Sequence, residues 1–260
     1  MRILYVGDVM GEIGLQVVEK VLPKLRKAKN IDLVIAQAEN LSEGKGVTVA
    51  DFRRLQKAGV DFCTGGNWTL HRDEIVPLLD DPNEPIIRPA NYPAGTPGLG
   101  CKYINGVLVI SLLGNIVGRD AEVPTDNPLL VVDQILQDQK TTHKAATVVN
   151  FHGDFSSQKV VIGHYLDGRV SMVVGDHWHV PTADARILPG GSAYITDAGM
   201  CGVLDASLGV SFESVIPRWR DGKQTRNVLE TAGPRQFNAL LVETDDNGLA
   251  KSAEQIQQIL

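Results

Sequence analysis

The chain has 260 residues, of which 43% are hydrophobic and 22% are charged, as in ordinary globular proteins. Its formal net charge of −6 argues against nonspecific binding to duplex nucleic acid, which requires a basic face. The three cysteines form no CxxC pair, no apolar run approaches the length of a transmembrane helix, and the N-terminus lacks the layout of a signal peptide. These features predict a cytoplasmic protein without disulfides or a membrane span.

Short apolar runs alternate with helical patterns through the first 150 residues. Thr48 suits the N-cap of one of these helices, and Gly59 suits the position just past its end. Alternation of this kind favours parallel strands with helices packed outside the sheet. The predicted strands are residues 3–6, 33–36 and 60–64, and the predicted helices are residues 15–29, 49–57 and 72–79.

Two long loops interrupt this pattern in the middle of the chain. The first, residues 82–100, carries five prolines and three glycines. Between it and the second loop, residues 114–126, the dipeptide Asn105-Gly106 predicts a β-hairpin over residues 103–113. A helix over residues 128–139 follows. Long loops in compact domains are often functional, so both are candidate lids or contact surfaces of a homo-oligomer.

The last 110 residues are richer in strands. We find no repeat, low-complexity tract or linker, so we expect one domain over residues 1–260 that contains two sheets. The predicted strands are residues 145–151, 170–174, 187–188, 193–196, 214–217 and 237–243.

Polar side chains follow the predicted strands at the points where the strands end. The most informative are His177 and His179, an H-x-H pair whose imidazoles would share one face if the strand continued through them. Imidazole, carboxylate and amide groups together suit transition-metal ions. Because the carboxyl ends of parallel strands meet at one edge of a sheet, we expect these groups to form one pocket. They are Asp8, Glu39, Asn40, Asn67, His152, His177 and His179.

Each of these residues has an ordinary alternative role when it is considered alone. Asp8 suits a helix N-cap, Asn67 suits a turn after two glycines, and His152 suits a hydrogen-bonded core position. Glu39 and Asn40 suit a solvated loop, and His177 and His179 suit a surface or hydrogen-bonded pair. Their joint occurrence at five strand ends favours a metal site over these separate roles.

The order of these residues along an α/β chain resembles the calcineurin-like metallophosphoesterases, and among them the YmdB-like branch. The matching segments are ILYVGDVMGEIG, AQAENLSEGKGVT, GGNWTLHRDEI, NFHGDFSSQKV and VVGDHWHVPTADARILPGGSAYITDAGMCG. The resemblance implies an α/β fold of four layers, a metallophosphoesterase sandwich of two mixed β-sheets flanked by helices. It also implies hydrolysis of small phosphodiesters, 2′,3′-cyclic nucleotides among them, by attack of a hydroxide that bridges two metal ions.

The resemblance also implies how the ligands divide between two ions of iron, manganese or zinc. Asp8, Glu39 and His179 would hold one ion with Asn40 beside it. The second ion would be held by Asn67, His152 and His177, with Glu39 bridging both ions.

One position departs from the family pattern in a way that affects catalysis. Trp68 stands where related enzymes have the catalytic histidine, and an indole cannot protonate a leaving oxygen. His71 is the candidate substitute if a helix beginning near position 68 brings the two side chains onto one face. The alternative is a metal-dependent nucleotide sensor with little or no activity. An aspartyl-nucleophile phosphatase is disfavoured, since Met10 stands where its second aspartate would be.

Several neighbouring residues have weaker predicted roles. Asp176 is a candidate carboxylate for orienting an imidazole, and Trp68 and Trp178 are candidates for stacking on a base, although tryptophan is more often a core residue. Lys45 lies in a glycine-containing loop without phosphate-loop spacing and is expected at the rim of the site. Nothing in the sequence distinguishes Asp197 from a solvated carboxylate.

Overall fold

A computed structural model describes residues 1–118 and 123–260 of the chain. The second predicted loop, residues 114–126, therefore lies partly outside the described residues. The helices are α1 (Gly11–Lys29), α2 (Val49–Ala58), α3 (Val76–Asp80), α4 (Pro128–Asp138), α5 (Ser156–Tyr165) and α6 (Phe212–Asp221). The strands are β1 (Arg2–Val6), β2 (Asp8–Val9), β3 (Leu33–Gln37), β4 (Phe62–Thr64), β5 (Cys101–Ile104), β6 (Val107–Leu113), β7 (Ala146–His152), β8 (Met172–Asp176), β9 (Arg186–Ile187), β10 (Ala193–Ile195), β11 (Met200–Val203), β12 (Arg235–Thr244) and β13 (Ala250–Ile259).

Two mixed sheets form the centre of the fold. In the first sheet, the strand order is β2-β11-β12-β1-β3-β4, and β13 pairs with β12. Strands β1, β3 and β4 are parallel, whereas β12 runs antiparallel to β1. The second sheet has the order β5-β6-β7-β8-β10-β9, with parallel pairing from β6 to β10 and antiparallel pairing at both edges.

Three apolar clusters show how the layers stack. One cluster lies between the sheets and joins Tyr5 and Ile35 of the first to Val148 and Val174 of the second. Another packs α1 and α2 against the outer face of the first sheet, and a third packs α4 and α5 against the outer face of the second. Because a strand alternates its side chains between two faces, each central strand contributes to two of these layers. The result is the predicted four-layer sandwich of two mixed sheets flanked by helices.

Most predicted elements of the first 200 residues are confirmed, with ends that shift by a few residues. In α2 the Thr48 hydroxyl accepts a hydrogen bond from the Asp51 amide at 3.2 Å, and Gly59 closes the helix in a left-handed conformation. The predicted helix at residues 72–79 is shorter than expected: a 3₁₀ turn at Asp73–Ile75 leads into α3, whose first turn contains Pro77.

The prediction of a strand at residues 214–217 is wrong, because these residues lie inside α6. The apolar residues Phe212, Val215, Ile216 and Trp219 recur at helical spacing, a pattern that a four-residue window cannot reveal. The sequence analysis also missed α5, β2, β11 and β13. Strand β13 carries few apolar residues, and its strand conformation depends on pairing along its whole length with β12.

Within the described residues, no helix is both long and apolar enough to cross a membrane. The cytoplasmic location and the homo-oligomer stay predictions.

Candidate metal centre

The predicted site residues come together where strands of both sheets end. Pairing of Val6 with Ala36, and of Ala36 with Cys63, aligns the carboxyl ends of β1, β3 and β4. The segments that follow these strands carry Asp8, Glu39, Asn40 and Asn67, and β7 of the facing sheet ends at His152. We call Asp8, Glu39, Asn40, Asn67, His152, His177 and His179 the polar cluster.

Gly66 is a structural requirement for this convergence. A Cβ atom at this position would lie 2.3 Å from Oε2 of Glu39 and 2.5 Å from Cδ2 of His152. Only glycine therefore lets the backbone after β4 approach both side chains, and any larger residue would push the first sheet's segment away from the second.

His152 lies at the centre of one half of the polar cluster. Its Nε2 atom is 3.0 Å from Oε1 of Glu39 and 3.0 Å from Oδ1 of Asn67. Glu39, His152 and His177 also offer ligand atoms that all lie within 4.8 Å of one another. This half of the cluster can hold a metal ion between carboxylate, amide and imidazole donors.

His179 lies at the centre of the other half. Its Nε2 atom is 3.3 Å from Oδ1 of Asn40 and 3.7 Å from Oδ1 of Asp8. The Nδ2 group of Asn40 donates to the Gly44 carbonyl at 2.9 Å, which turns Oδ1 toward His179. Nδ1 of His179 faces the Leu208 carbonyl at 3.1 Å and donates to it, which leaves a lone pair on Nε2. Three acceptor atoms thus converge, and no donor from the described residues lies between them.

Two side-chain atoms of the polar cluster are buried without a hydrogen-bond partner among the described residues. They are Oδ1 of Asp8 and Nδ2 of Asn67. An unpaired buried polar atom costs about 1–3 kcal/mol, so such atoms need a reason. For Asp8, a cation beside the carboxylate provides one, because its lone pair would then have a ligand.

A buried carboxylate orients His152. Oδ1 of Asp176 accepts from Nδ1 of His152 at 2.7 Å, which directs Nε2 toward the polar cluster. The other oxygen of Asp176 accepts from three side chains, those of Tyr5 at 2.8 Å, Gln37 at 3.0 Å and Asn150 at 2.6 Å. Asp176 therefore does orient an imidazole, although that imidazole belongs to His152 rather than to the adjacent H-x-H pair.

The expectation that the H-x-H pair lies on a strand is wrong. Strand β8 ends at Asp176, and the next residues adopt an irregular backbone in which φ is 97° at His177 and 62° at His179. Both values lie in the left-handed region, which costs energy for a residue with a side chain. The two imidazoles reach the cluster through this turn, and not through the two-residue repeat of a strand.

A buried ion pair stabilises the strained H-x-H segment. The Lys159 ammonium donates to Oδ2 of Asp197 at 2.7 Å and to the Asp176 carbonyl at 2.6 Å. The same Asp197 oxygen accepts from the Trp178 amide at 2.9 Å, and the Lys159 ammonium lies 3.9 Å from the centre of the Trp178 ring. The Trp178 indole donates to the Asp154 carbonyl. Protein groups therefore contact both the ring face and the N–H group of Trp178, which is the environment of a packing residue.

Burial and charge shift the pKa values of the polar cluster. Burial, and then the charge of Asp176, raise the pKa of Asp8 well above its usual range. Burial lowers the pKa of His177 to about 4, and the charge of His152 adds to this effect. Burial acts to lower the pKa of His152 as well, but Glu39 and Asp176 outweigh it and raise that pKa well above normal. A neutral His177 has the lone pair that a metal ligand needs, and a nearby cation would keep Asp8 ionised.

The position of the expected catalytic histidine is occupied by a partly buried indole. The Trp68 amide donates to Oε2 of Glu39 at 2.9 Å, and Nζ of Lys45 lies 3.8 Å from the centre of the Trp68 ring. The ring centres of Trp68 and His71 are 5.4 Å apart. The predicted proximity of these two side chains is present, but it arises from consecutive turns, with the His71 amide donating to the Trp68 carbonyl, and not from a helix.

Sequence reasoning missed several residues that support the polar cluster. Gln37 ends the buried strand β3 and Asn150 lies within the buried strand β7, and polar residues in such strands are a signal that was available in the sequence. Asp154 lies 3.2 Å from Nε2 of His177, yet nothing in the sequence distinguishes it. Lys159 was also missed, since its helix α5 was not predicted.

A four-layer α/β sandwich with a cluster of carboxylate, amide and imidazole groups at the strand ends defines the metallophosphoesterase class of fold. A family model described as "YmdB-like protein" matches residues 4–256. The chain belongs to this family, as the sequence motifs predicted.

Similar proteins agree with this assignment over most of their length. A Bacillus subtilis protein named 2′,3′-cyclic-nucleotide 2′-phosphodiesterase is 38% identical over 261 residues, covering 100% of this chain and 97% of that protein. A solved structure of a hypothetical protein from Thermus thermophilus has a TM-score of 0.88 at 35% identity and covers 100% of this chain and 99% of its own. A structure described as a novel phosphatase from Mycoplasma pneumoniae has a TM-score of 0.91 at 29% identity and covers 100% of this chain and 93% of its own.

Proposed function

We propose that the protein is a metal-dependent phosphodiesterase that hydrolyses small phosphodiesters, 2′,3′-cyclic nucleotides among them. The name of the Bacillus subtilis relative supports this substrate class. One observation carries the metal dependence: Nε2 of His179, Oδ1 of Asn40 and Oδ1 of Asp8 face one another as acceptors, and no donor from residues 1–118 or 123–260 lies between them. A cation relieves the repulsion between such lone pairs.

The polar cluster would hold two ions, one in each half. Asp8, His179 and Asn40 form the first half, and Asn67, His152 and His177 form the second. Glu39 would reach both ions. The set contains two carboxylates among imidazoles and amides, a mixture that suits iron, manganese or zinc. Its low negative charge also permits an anionic phosphate to approach.

Two ions bound here would polarise the phosphate and supply a nucleophile at neutral pH. The chain's own contribution is to hold each donor in place before the substrate binds. Asp176 directs the His152 ring, the Leu208 carbonyl directs the His179 ring, and the Trp68 amide holds one oxygen of Glu39. Preorganisation of this kind prevents the donors from having to reorient during the reaction.

The step for which this chain lacks the expected residue is protonation of the leaving ribose oxygen, because Trp68 stands at the position of the catalytic histidine. The indole of Trp68 cannot donate a proton as an acid. His71 is exposed and lies against Trp68, so it is our candidate for the proton donor. An enzyme without an efficient general acid loses about 10²–10⁴-fold in rate, and slow turnover is therefore expected if His71 does not fill this role.

Metal content and hydrolysis measured together test the proposal. The substrates are a bis-aryl phosphodiester and 2′,3′-cyclic AMP, with manganese added, for the wild type and for His177→Ala. We expect about two metal ions per chain in the wild type, as the two-metal mechanism requires, and loss of turnover in the variant. His164→Ala is the matched control, since His164 is exposed on α5 outside the polar cluster.

Absence of bound metal in the wild type would overturn the proposal. Two ions without turnover would instead favour the second candidate function, a metal-dependent nucleotide sensor. The observation that favours the sensor is Trp68, which stands beside Glu39 where the family places a catalytic histidine. A sensor would bind nucleotide only with metal present and would show no more turnover than His177→Ala.

A further inference from the structure

A wide cleft opens beside the polar cluster, between the loop at residues 42–46 and the segment at residues 222–229 that follows α6. Its volume is about 1150 Å³. Among the described residues that line it, five are cationic and one, Glu43, is anionic, within a chain whose formal net charge is −6. The cations are Lys45, Arg72, Arg218, Lys223 and Arg226, and we call this region the basic cleft.

One wall of the basic cleft is continuous with the polar cluster through the 42–46 loop. Gly44 lines the cleft, and its carbonyl accepts from Nδ2 of Asn40 at 2.9 Å. Lys45 lines the cleft with its ammonium 3.8 Å from the centre of the Trp68 ring, and the Trp68 amide is bonded to Glu39. These contacts link Asn40 and Glu39 of the polar cluster to the residues that line this side of the cleft.

Two apolar residues that line the cleft are also close to the polar cluster in sequence. Met10 lines the cleft two residues after Asp8. Val210 lines it two residues after Leu208, whose carbonyl faces Nδ1 of His179 at 3.1 Å. The basic cleft is therefore lined by segments that adjoin the polar cluster on two sides.

The cations of the cleft differ in how far the protein already neutralises them. Arg72 is paired with Glu43 at 2.8 Å and bonds the Ser42 and Lys45 carbonyls, so it mainly holds the loop. The Arg218 guanidinium is fixed by neutral groups only, the Thr225 hydroxyl and carbonyl and the Asn227 side chain.

Three of the cations keep an uncompensated charge. Within the described part of the chain, Lys45, Arg218 and Arg226 have no carboxylate within 4.0 Å. Like charges gathered in a concave surface repel one another and raise the local concentration of anions. Arginine in particular matches the geometry of a phosphate group.

We propose that the basic cleft binds a second phosphate of the substrate, attached to the 5′ oxygen of the ribose whose 2′,3′-cyclic phosphate lies at the polar cluster. This inference rests on the proposed function. The preferred substrate is then a 5′-phosphorylated cyclic nucleotide or a short ribonucleotide strand that ends in a 2′,3′-cyclic phosphate. The cleft volume of about 1150 Å³ slightly exceeds the range of about 300–1,000 Å³ for sites that hold one small ligand, so the cleft has room for such a substrate.

Three substrates that share one reacting group test the proposal on the metal-loaded protein. They are adenosine 2′,3′-cyclic phosphate, its 5′-phosphorylated form, and the diadenosine with the same cyclic end and one internucleotide phosphate. Because a charge-assisted hydrogen bond changes affinity by about tenfold or more, we expect kcat/KM to be at least that much higher for a substrate with a second phosphate. A gain confined to one of the two identifies whether a terminal or an internucleotide phosphate is recognised.

Arg226→Ala is the first variant, because the Arg226 side chain makes no hydrogen bond within the described residues and its loss leaves no partner unsatisfied. We expect the ratio of kcat/KM with and without the second phosphate to fall by about tenfold, chiefly through KM. Lys223→Ala is a second variant with the same expected direction and a smaller expected fall, because the Lys223 ammonium already lies 3.8 Å from Oδ2 of Asp221. Arg220→Ala is the control, because it also removes one positive charge. Arg220 lies on α6 outside the cleft, pairs with Asp221 and has a side chain that is 73% exposed.

Equal kcat/KM for all three substrates would overturn the second-phosphate site while leaving the proposed phosphodiesterase intact. An equal fall of the ratio in Arg220→Ala and Arg226→Ala would also overturn it, because a long-range charge effect would then explain the gain. If no substrate is hydrolysed, the proposed function fails. Nucleotide affinities measured by calorimetry then test separately whether the basic cleft binds a phosphate. Tighter binding of adenosine 5′-phosphate than of adenosine, lost in Arg226→Ala, would support the site, and equal binding would refute it.

Discussion

The polar cluster and the basic cleft adjoin each other, yet they are built on opposite principles. Asp8 and His152 of the polar cluster are completely buried, and their positions are set by strand register and by hydrogen bonds. The charges of the basic cleft belong to loops and to the end of α6, and Arg226 has no hydrogen bond to its side chain within the described residues. Rigid, buried donors suit chemistry that demands fixed geometry, whereas exposed cations on loops suit recognition of a substrate's remote groups.

This difference implies that changes in the two regions should affect separate measurements. Substitution of the buried residues that hold the polar cluster in place should reduce stability and turnover together, because the same buried hydrogen bonds and ion pairs contribute to both. Changes in the basic cleft should alter which substrate is preferred, and this preference should depend on salt. The following predictions test this separation, beginning with the largest expected effect.

Removing the buried cation behind the H-x-H segment should give the largest effect. Lys159→Met leaves the wholly buried Asp197 carboxylate without its charge partner, which costs about 3–5 kcal/mol of unfolding free energy. Denaturant unfolding monitored by circular dichroism measures this loss. Lys251→Met, which removes an ammonium from a side chain 59% exposed, should change stability little.

A rescue variant separates the charge effect from simple loss of packing. Lys159→Met combined with Asp197→Asn removes the unpaired charge and keeps an acceptor for the Trp178 amide. We expect the double variant to recover part of the stability lost in the single variant. Equal stability of the single and double variants would show that the ion pair does not support this segment electrostatically.

Replacing the indole at the boundary between the two regions should have the next largest effect. Trp68→His supplies a proton donor beside Glu39, and we expect kcat for 2′,3′-cyclic AMP to rise by about 10²-fold, the lower end of the range for general acid catalysis. Trp219→His is the matched control, because Trp219 is 85% exposed on α6. No rise in kcat at full metal occupancy would show that position 68 does not face the leaving oxygen.

Salt should have the smallest effect and should act selectively on the basic cleft. Raising the ionic strength from about 0.1 M to 1 M shortens the Debye length from about 10 Å to 3 Å and screens exposed charges. The preference for a substrate with a second phosphate should therefore shrink, while kcat for adenosine 2′,3′-cyclic phosphate changes less. Steady-state kinetics across a sodium chloride series provides the measurement. A preference that is insensitive to salt would contradict recognition by exposed cations.

The sequence by itself determined the layered α/β fold and the membership of the polar cluster. Apolar runs of strand length, separated by helical periods, fix which segments can bury a face, and the polar residues that end those runs must meet at the sheet edge. Asp8, Glu39, Asn67 and His152 were all identified this way, without any knowledge of distances. Local patterns suffice here because parallel strands in register bring their ends to one place.

Only the tertiary structure decided how the H-x-H pair reaches the cluster and what surrounds it. The positive φ angles of His177 and His179 persist because Lys159 and Asp197, far apart in the chain, form a buried pair beneath them. The basic cleft likewise joins Lys45 to Arg226, residues from distant segments with no sequence pattern in common. Long-range packing sets such positions, and a local pattern of residues carries no information about it.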